Sequence, residues 1–195
     1  MSISIEDIKK LKELSGVGLT DAKNALVEAK GDFDKALDAM RKKGLTKAEK
    51  RGDRETREGL IDAYVHDGRI GAIVEVNCET SFVAKTDEFK DLAQKIAMQV
   101  ASMNPLYVSE SDIPTEVKDK KMKELEENFK GPEKMKEKIL EGQAKKAFAD
   151  KVLMNQPYIL DDSKTVAEFI KEAIAKTGEN ITIRQFKRIE LGVTE

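Results

Sequence analysis

The sequence predicts an α+β fold in which a small helical domain precedes a core of antiparallel strands packed with helices. The first observation is a hairpin signal, since two strand-like segments, 60–66 and 69–76, flank the turn-forming pair Asp67-Gly68. The second is helical periodicity, because apolar residues recur every three or four positions in segments such as 33–40. The third is composition: charged residues make up 37% and aromatic residues 5%, which favours helices with solvated faces over packed sheets.

Residues 1–45 are predicted to form a bundle of three short helices. Gly16-Val17-Gly18 separates the first two, and Gly31-Asp32 ends the second and caps the third, which is expected to end at Gly44. Short helices joined this tightly resemble a ubiquitin-associated domain. Residues 46–58 follow as a charged linker without an apolar stripe, so we expect them to be exposed and mobile.

The core is expected to consist of two parts, residues 59–113 and 155–195. The first part contains the hairpin and a helix over 86–103, whose predicted buried stripe runs from Phe89 to Met103. In the second part Ser163 is expected to cap a helix that ends at Gly178. The last strand, 181–191, alternates imperfectly, which suggests a bulge or a role between subunits.

Between the two parts, residues 114–154 predict an antiparallel helical hairpin that projects as a coiled-coil arm. Two narrow apolar stripes, within 122–129 and 135–148, flank Gly131-Pro132, where the chain is expected to reverse. Such a hairpin is equally compatible with a plain structural coiled coil and with an arm that contacts a partner.

The residues that carry enzyme chemistry are scarce. His66 is the only histidine and Cys78 the only cysteine, so no intrachain disulfide and no metal site built on these residue types is expected. No nucleophile motif, phosphate-binding loop or dinucleotide fingerprint accompanies them. We therefore predict a binding protein without catalytic residues, cofactor or metal.

Charge and hydropathy restrict the compartment and the partners. The formal net charge is −2, which disfavours direct nucleic-acid binding. No apolar run is long enough to span a membrane, and the first residues resemble neither a signal nor a transit peptide. The expectation is a soluble, cytoplasmic protein with a protein partner.

The most informative segment is Asn77 to Lys85, between the second predicted strand and the helix over 86–103. It places Phe82 and Val83 side by side where turn residues and polar caps are usual. For a lone loop phenylalanine, folding back into the core would be the more common outcome.

Several segments together carry a family resemblance. Leu11 to Gly18 reads Leu-x-x-x-Ser-Gly-x-Gly, and Glu75 to Thr80 leads into the Phe82 segment. Asn-Gln-Pro-Tyr at 155–158 and Gly-Glu-Asn-Ile at 178–181 follow in the same order along the chain. In this set the chain resembles bacterial translation elongation factor Ts, in its short, single-core form.

The resemblance implies a guanine-nucleotide exchange factor for the GTPase elongation factor Tu. Such a factor binds Tu·GDP, displaces Mg²⁺, promotes GDP release and is itself displaced as GTP binds. The resemblance assigns the wedge that dislodges Mg²⁺ to Thr80, Ser81, Phe82 and Val83. Ser81 stands where the family usually has Asp, so this position has no acidic side chain to make such a contact.

For the N-terminal domain, the resemblance makes Leu11, Leu19 and Thr20 candidate contacts with the GTPase. A single core copy implies a homodimer. Two alternatives stay open from the sequence: a ubiquitin-associated-like adaptor, which needs only residues 1–45, and a coiled-coil scaffold, which needs only the helical hairpin. Neither explains residues 77–85.

Overall fold

The computed structural model describes residues 3–15, 18–129, 132 and 135–193. The α-helices in these ranges are α1 (Ile5–Ser15), α2 (Leu19–Glu28), α3 (Phe33–Glu49), α4 (Ser81–Ala84), α5 (Asp87–Met103), α6 (Thr115–Glu127), α7 (Lys136–Ala149) and α8 (Val166–Thr177). The strands are β1 (Glu58–His66), β2 (Ile70–Cys78), β3 (Pro157–Tyr158), β4 (Asp161–Thr165) and β5 (Ile181–Glu190). This mixture of helices and antiparallel strands confirms the predicted α+β class.

The chain divides into two compact units. One contains Met1–Asp62, Glu75–Ala93 and Glu168–Ile183; the other contains Ala63–Val74, Gln94–Ala167 and Arg184–Glu195. In the first unit, α1, α2 and α3 pack against one another around a small apolar core. The buried members of this core are Leu11, Ala22, Ala25, Leu26, Ala36 and Met40. Gly16 and Val17, which were predicted to separate α1 from α2, lie outside the described residues.

The third helix is longer than the sequence predicts. The Asp32 side chain caps it as expected, accepting from the Lys35 backbone N–H at 3.1 Å. The predicted end at Gly44 is wrong, because α3 continues to Glu49. A Cβ at Gly44 would lie 3.1 Å from the Cβ of Ala175 in α8, so this glycine permits close helix packing instead of ending a helix.

The segment after α3 is mostly exposed, as the sequence predicts, and hydrogen bonds from Asn180, directly before β5, hold part of it. The buried Asn180 side chain donates through Nδ2 to the carbonyl oxygens of Gly52 (3.2 Å) and Arg54 (2.8 Å). Residues 46–49 belong to α3, and Ala48 is buried. The chain divisions at 45, 58, 113 and 154 remain predictions.

The predicted hairpin is confirmed, and β5 completes a sheet with the strand order β1-β2-β5. Asp67 and Gly68 both have positive φ, 48° and 66°, which a two-residue type I′ turn requires. The Leu191 backbone N–H donates to the Arg69 carbonyl at 2.8 Å, so the end of β5 meets the start of β2 and these strands are antiparallel. Along β5, burial shifts from odd to even positions after Ile183, which matches the imperfect alternation in the sequence.

The helices of the core follow their predicted buried stripes except at one position, and one predicted helix cap is wrong. Residues of α5 from Phe89 to Val100 form the buried stripe, but Met103 at its last position is 40% exposed. The predicted cap at Ser163 is wrong because this residue lies in β4, where its hydroxyl donates to the Asp161 carboxylate at 2.6 Å. Gly178, with φ of 80°, follows α8 as predicted.

In the second unit, α6 and α7 pack against each other as the predicted helical hairpin requires. Gly131, part of the predicted reversal, lies outside the described residues. Where the chain leaves the hairpin, the fully buried Gln156 donates through Nε2 to the carbonyls of Met103 (3.2 Å) and Asp150 (2.6 Å). Gln99, also fully buried, donates to the Gln156 side-chain oxygen at 3.1 Å. Within the described ranges, none of the helices has the length and hydropathy needed to cross a membrane.

Candidate partner-binding site

The segment after β2 folds into a single helical turn, which we call the exposed turn and define as residues 80–84. Thr80 is the N-cap, with extended backbone angles, and its hydroxyl oxygen accepts from the Val83 backbone N–H at 3.4 Å. Val83 and Ala84 are 9% and 8% exposed and hold the inner side of the turn. The segment predicted as a loop is therefore a capped turn of α4 with one buried side.

Phe82 lies on the outer side of this turn. It is 80% exposed, the highest value among the large apolar side chains that the structure describes. The alternative in which Phe82 folds back into the core is wrong. Of the four predicted wedge residues, Thr80, Ser81 and Phe82 are exposed, whereas Val83 is buried and supports the turn from inside. An apolar ring held in solvent by a polar cap and a buried valine is suited to insertion into a partner.

The exposed turn is tied to the segment between α8 and β5. The Glu179 carboxylate accepts from the Thr80 hydroxyl at 2.6 Å and from the Thr80 backbone N–H at 3.0 Å. In return, the Asn180 backbone N–H donates to the Glu79 carboxylate at 2.6 Å. Glu79 also pairs with Arg54 at 3.4 Å. We call the pairing of Glu79 and Thr80 with Glu179 and Asn180 the turn clamp.

Of the four residues of the turn clamp, Thr80 was among the predicted site residues, whereas Glu79, Glu179 and Asn180 were not. Both of its segments carry part of the family resemblance, but no periodicity or spacing in the sequence indicates that they meet. A signal that could have indicated this was the pair of polar residues at each of two strand ends, at 79–80 and 179–180.

Cys78 precedes the turn and is fully buried, with its thiol donating to the Thr80 carbonyl at 3.2 Å. Burial, with the negative charge of Glu179 as a second cause, raises the pKa of the Cys78 thiol from 9.0 to about 11. The thiol is therefore protonated at neutral pH, and a protonated thiol is a poor nucleophile. Cys78 acts as a buried hydrogen-bond donor behind the turn.

The three candidate contacts of the N-terminal domain differ in exposure. Leu19, the first residue of α2, is 55% exposed, and Thr20 beside it is also exposed. Leu11 is fully buried in the core of the bundle. The prediction of Leu11 as a contact is corrected, because its side chain reaches no partner while the bundle is folded.

The sheet leaves apolar side chains in solvent on each of its strands. In the second unit, Val65 of β1 is 64% exposed, Ile73 of β2 is 46% exposed and Ile189 of β5 is 74% exposed. Leu191, directly after β5, is 61% exposed. The two-residue turn pairs Val65 with Ile70, so Val65 lies on the opposite face of the hairpin from Ile73, and apolar side chains are exposed on both faces.

The described residues do not assemble a recognisable metal or nucleophilic centre. No group of three or more His, Cys, Asp or Glu side chains among them is arranged to hold a metal ion. His66 is exposed beside the β1–β2 turn, where its Nδ1 lies 3.1 Å from the Tyr64 hydroxyl. This position fits a surface residue of the hairpin.

Comparison with known proteins agrees with the residues that first suggested a family. The family described as "Elongation factor TS" matches residues 45–193. A protein of Thermotoga sp. (strain RQ2) named elongation factor Ts is 52% identical over 194 residues, which cover 98% of each chain. A protein of the same name from Fervidobacterium nodosum is 46% identical over 98% of this chain and 100% of its own. Another from Thermoanaerobacter sp. (strain X514) is 47% identical over 97% of this chain and 95% of its own. The chain therefore belongs to the elongation factor Ts family.

Proposed function

We propose that this protein is the guanine-nucleotide exchange factor of elongation factor Tu and acts in the elongation phase of protein synthesis. It binds Tu·GDP, displaces Mg²⁺ from the GTPase, promotes GDP release and leaves as GTP binds. It needs no cofactor and performs no covalent chemistry, because its work is a change of conformation in its partner. A cytoplasmic location follows from this role.

The observation that carries the proposal is the exposed Phe82 on a capped turn. An aromatic ring that is 80% exposed gains by burial in a partner, and the buried Val83 keeps the turn in place while it does so. Thr80, Ser81 and Phe82 are the proposed residues of contact near the Mg²⁺ site of the GTPase. Ser81 offers a hydroxyl without charge, so its contact does not depend on an acidic side chain.

The N-terminal bundle is a second proposed contact. Leu19 is exposed at the first position of α2 with Thr20 next to it, and this end of the helix is open to a partner. We propose that the bundle is a ubiquitin-associated-like domain that docks on the GTPase through these two residues. Leu11 supports that surface from the core.

A homodimer through the sheet is the proposed assembly. Ile73 and Ile189 are 46% and 74% exposed, so burying the rest of these side chains would contribute roughly 0.7–1.4 and 1.1–2.2 kcal/mol, against an association cost of about 4–15 kcal/mol. These two side chains alone are not sufficient, so the dimer interface must extend beyond them to about 1,200 Å² or more. Since one surface pairs with its own copy, two-fold symmetry is expected.

The alternatives from the sequence account for less of the chain. An adaptor would need only residues 1–45 and a scaffold only the helical hairpin, whereas the family match spans residues 45–193 and includes the exposed turn. Neither alternative gives an exposed, clamped phenylalanine a role.

Exchange is tested directly with elongation factor Tu loaded with a fluorescent GDP analogue. Adding the protein in the presence of excess GDP should speed the loss of fluorescence by orders of magnitude, with a rate that saturates as its concentration rises. A release rate that equals the spontaneous rate, at concentrations where binding is measured independently, would refute the proposal.

A further inference from the structure

Thr80 is held more completely than any other residue of the exposed turn. Its backbone N–H and its hydroxyl both donate to the Glu179 carboxylate, at 3.0 and 2.6 Å. Its hydroxyl oxygen also accepts from the Val83 N–H, and its carbonyl accepts from the Cys78 thiol. Every polar group of this residue has a partner, and both oxygens of Glu179 are used.

Glu179 is itself held in place by its neighbours. On one side, the Gly178 backbone N–H donates to the Ile174 carbonyl at 3.0 Å and the Glu179 backbone N–H donates to the Thr177 hydroxyl at 3.3 Å. On the other side, Asn180 is 2% exposed. The Asn180 backbone N–H donates to Glu79, while the Asn180 side chain donates to two carbonyls of the segment after α3. The backbone that carries the Glu179 carboxylate is therefore fixed at both sides.

The exposed turn needs such support. A helix of four residues does not persist on its own, because the first turn fixes several dihedral angles for one hydrogen bond. Phe82 is 80% exposed, so packing does not orient it in the free protein. Its direction depends on buried Val83 and Ala84 and on the Thr80 cap, whose hydroxyl is the same group that donates to Glu179.

We propose that Glu179 is a positioning residue for exchange: its carboxylate fixes Thr80 and thereby aims Phe82 before the partner arrives. A turn that is already ordered loses less conformational entropy on binding, so more of the contact energy is available to act on the GTPase. This inference rests on the proposed exchange function and assigns a role to a residue 99 positions away in the chain from the turn that it holds.

The test compares three substitutions of Glu179 in the full-length protein. Glu179→Ala removes both hydrogen bonds and should lower the maximal rate of GDP release at saturating protein about tenfold, which corresponds to about 1.4 kcal/mol. Glu179→Gln keeps the length, and its amide can accept from the Thr80 N–H and donate to the Thr80 hydroxyl, so most of the rate should return. Glu179→Asp keeps the charge but is one methylene shorter, so it should stay slow.

This pattern separates positioning from a direct charged contact with the partner. If Glu179 touched the GTPase through its charge, Asp would retain activity better than Gln, and that order would overturn the inference. Glu49→Ala is the matched control, because it also removes a carboxylate, but one that pairs with Lys171 at 2.9 Å and does not contact the turn. With this variant, Tu should release GDP at the same rate as with wild type.

A second measurement follows the turn in the free protein. Amide hydrogen exchange at Thr80 should speed up in Glu179→Ala and Glu179→Asp but stay close to wild type in Glu179→Gln and Glu49→Ala. A double-mutant cycle with Thr80→Val should be strongly non-additive in the release rate, since both changes remove one shared interaction. Additive effects would overturn the inference.

The outcomes distinguish the inference from the function on which it rests. If wild type and Glu49→Ala both fail to accelerate GDP release, the proposed function falls and the inference falls with it. If wild type is active and Glu179→Ala promotes GDP release equally fast, only the inference falls, provided that thermal unfolding shows this variant to be folded. Should Glu179→Ala not fold, Glu179→Asp and Glu179→Gln decide alone, and equal rates for these two would overturn the positioning role.

Discussion

Replacing Phe82 with alanine tests the exposed turn at the residue expected to contribute most of its contact energy with the partner. Phe82 is 80% exposed in the free protein, so about four-fifths of its side chain remains to be buried on a partner. Fully burying a phenylalanine contributes roughly 1.5–3 kcal/mol, which leaves about 1.2–2.4 kcal/mol for this contact. At 1.36 kcal/mol per decade, GDP release should slow roughly eightfold to 60-fold in Phe82→Ala.

The same change should hardly alter the stability of the folded protein. Substitutions of exposed side chains usually alter the free energy of unfolding by less than about 0.5 kcal/mol, so thermal unfolding of Phe82→Ala should match wild type. Val83→Ala, on the inner side of the turn, should instead destabilise the protein by about 1.6 kcal/mol, from two buried carbons at about 0.8 each.

The assay is release of a fluorescent GDP analogue from elongation factor Tu, measured over a range of protein concentrations up to saturation. Leu160→Ala is the matched control, because Leu160 is a large apolar side chain that is 56% exposed but belongs to the β3–β4 turn. A Phe82→Ala rate within twofold of wild type at saturation would remove this ring from the mechanism.

Three further predictions concern other residues. Ser81→Asp should leave the affinity for Tu unchanged or modestly higher and make it more dependent on salt, because a carboxylate is screened and a hydroxyl is not; a large loss of affinity in a titration would contradict a tolerant contact. Ile189→Glu should convert a dimer into a monomer, since a carboxylate replaces an apolar side chain that is 74% exposed on β5. Light scattering should give a mass of twice 21.8 kDa for wild type and 21.8 kDa for the variant. A wild-type mass of one chain would refute the dimer. The raised pKa of Cys78 favours the protonated thiol in the folded state, so its contribution to stability is fully present below pH 9 and is lost as pH rises towards 11. Wild type should therefore lose more stability than Cys78→Ser between these pH values in urea unfolding, and parallel curves would contradict the assignment.

Local chemistry in the sequence predicted the hairpin and missed the end of α3. Asp67-Gly68 needs no distant partner, because its preference for positive φ selects the turn by itself. Gly44 looks like the residue that ends a helix, but its missing side chain makes room for Ala175, which is 131 positions further along the sequence. Glycine serves both purposes, and only the tertiary contact decides between them.

The candidate site was predictable as a segment but not as a geometry. The placement of Phe82 and Val83 between a strand and a helix indicated an unusual turn, yet which of them faces solvent depends on how the turn is capped. Leu11 was a candidate contact because of the family resemblance, but it lies on the apolar face of α1, and that face packs into the bundle. The turn clamp joins residues 99 and 101 positions apart, beyond the reach of any local pattern.

The energetics require the contact with the partner to be shared among separate parts of the chain. Speeding nucleotide release by three or four decades needs about 4–5.5 kcal/mol of coupling, and Phe82 supplies at most about half of that. On the proposed function, Leu19 and Thr20 on the bundle are expected to contribute binding energy, and the turn clamp is expected to reduce the conformational entropy that the turn loses on binding. Because coupling is reciprocal, every contact that loosens GDP is itself weakened when GDP binds. The double variant Phe82→Ala, Leu19→Ala should therefore slow GDP release and also weaken the effect of GDP on the affinity for Tu. If the double variant slows release while GDP still lowers its affinity for Tu as strongly as in wild type, this division of the coupling is refuted.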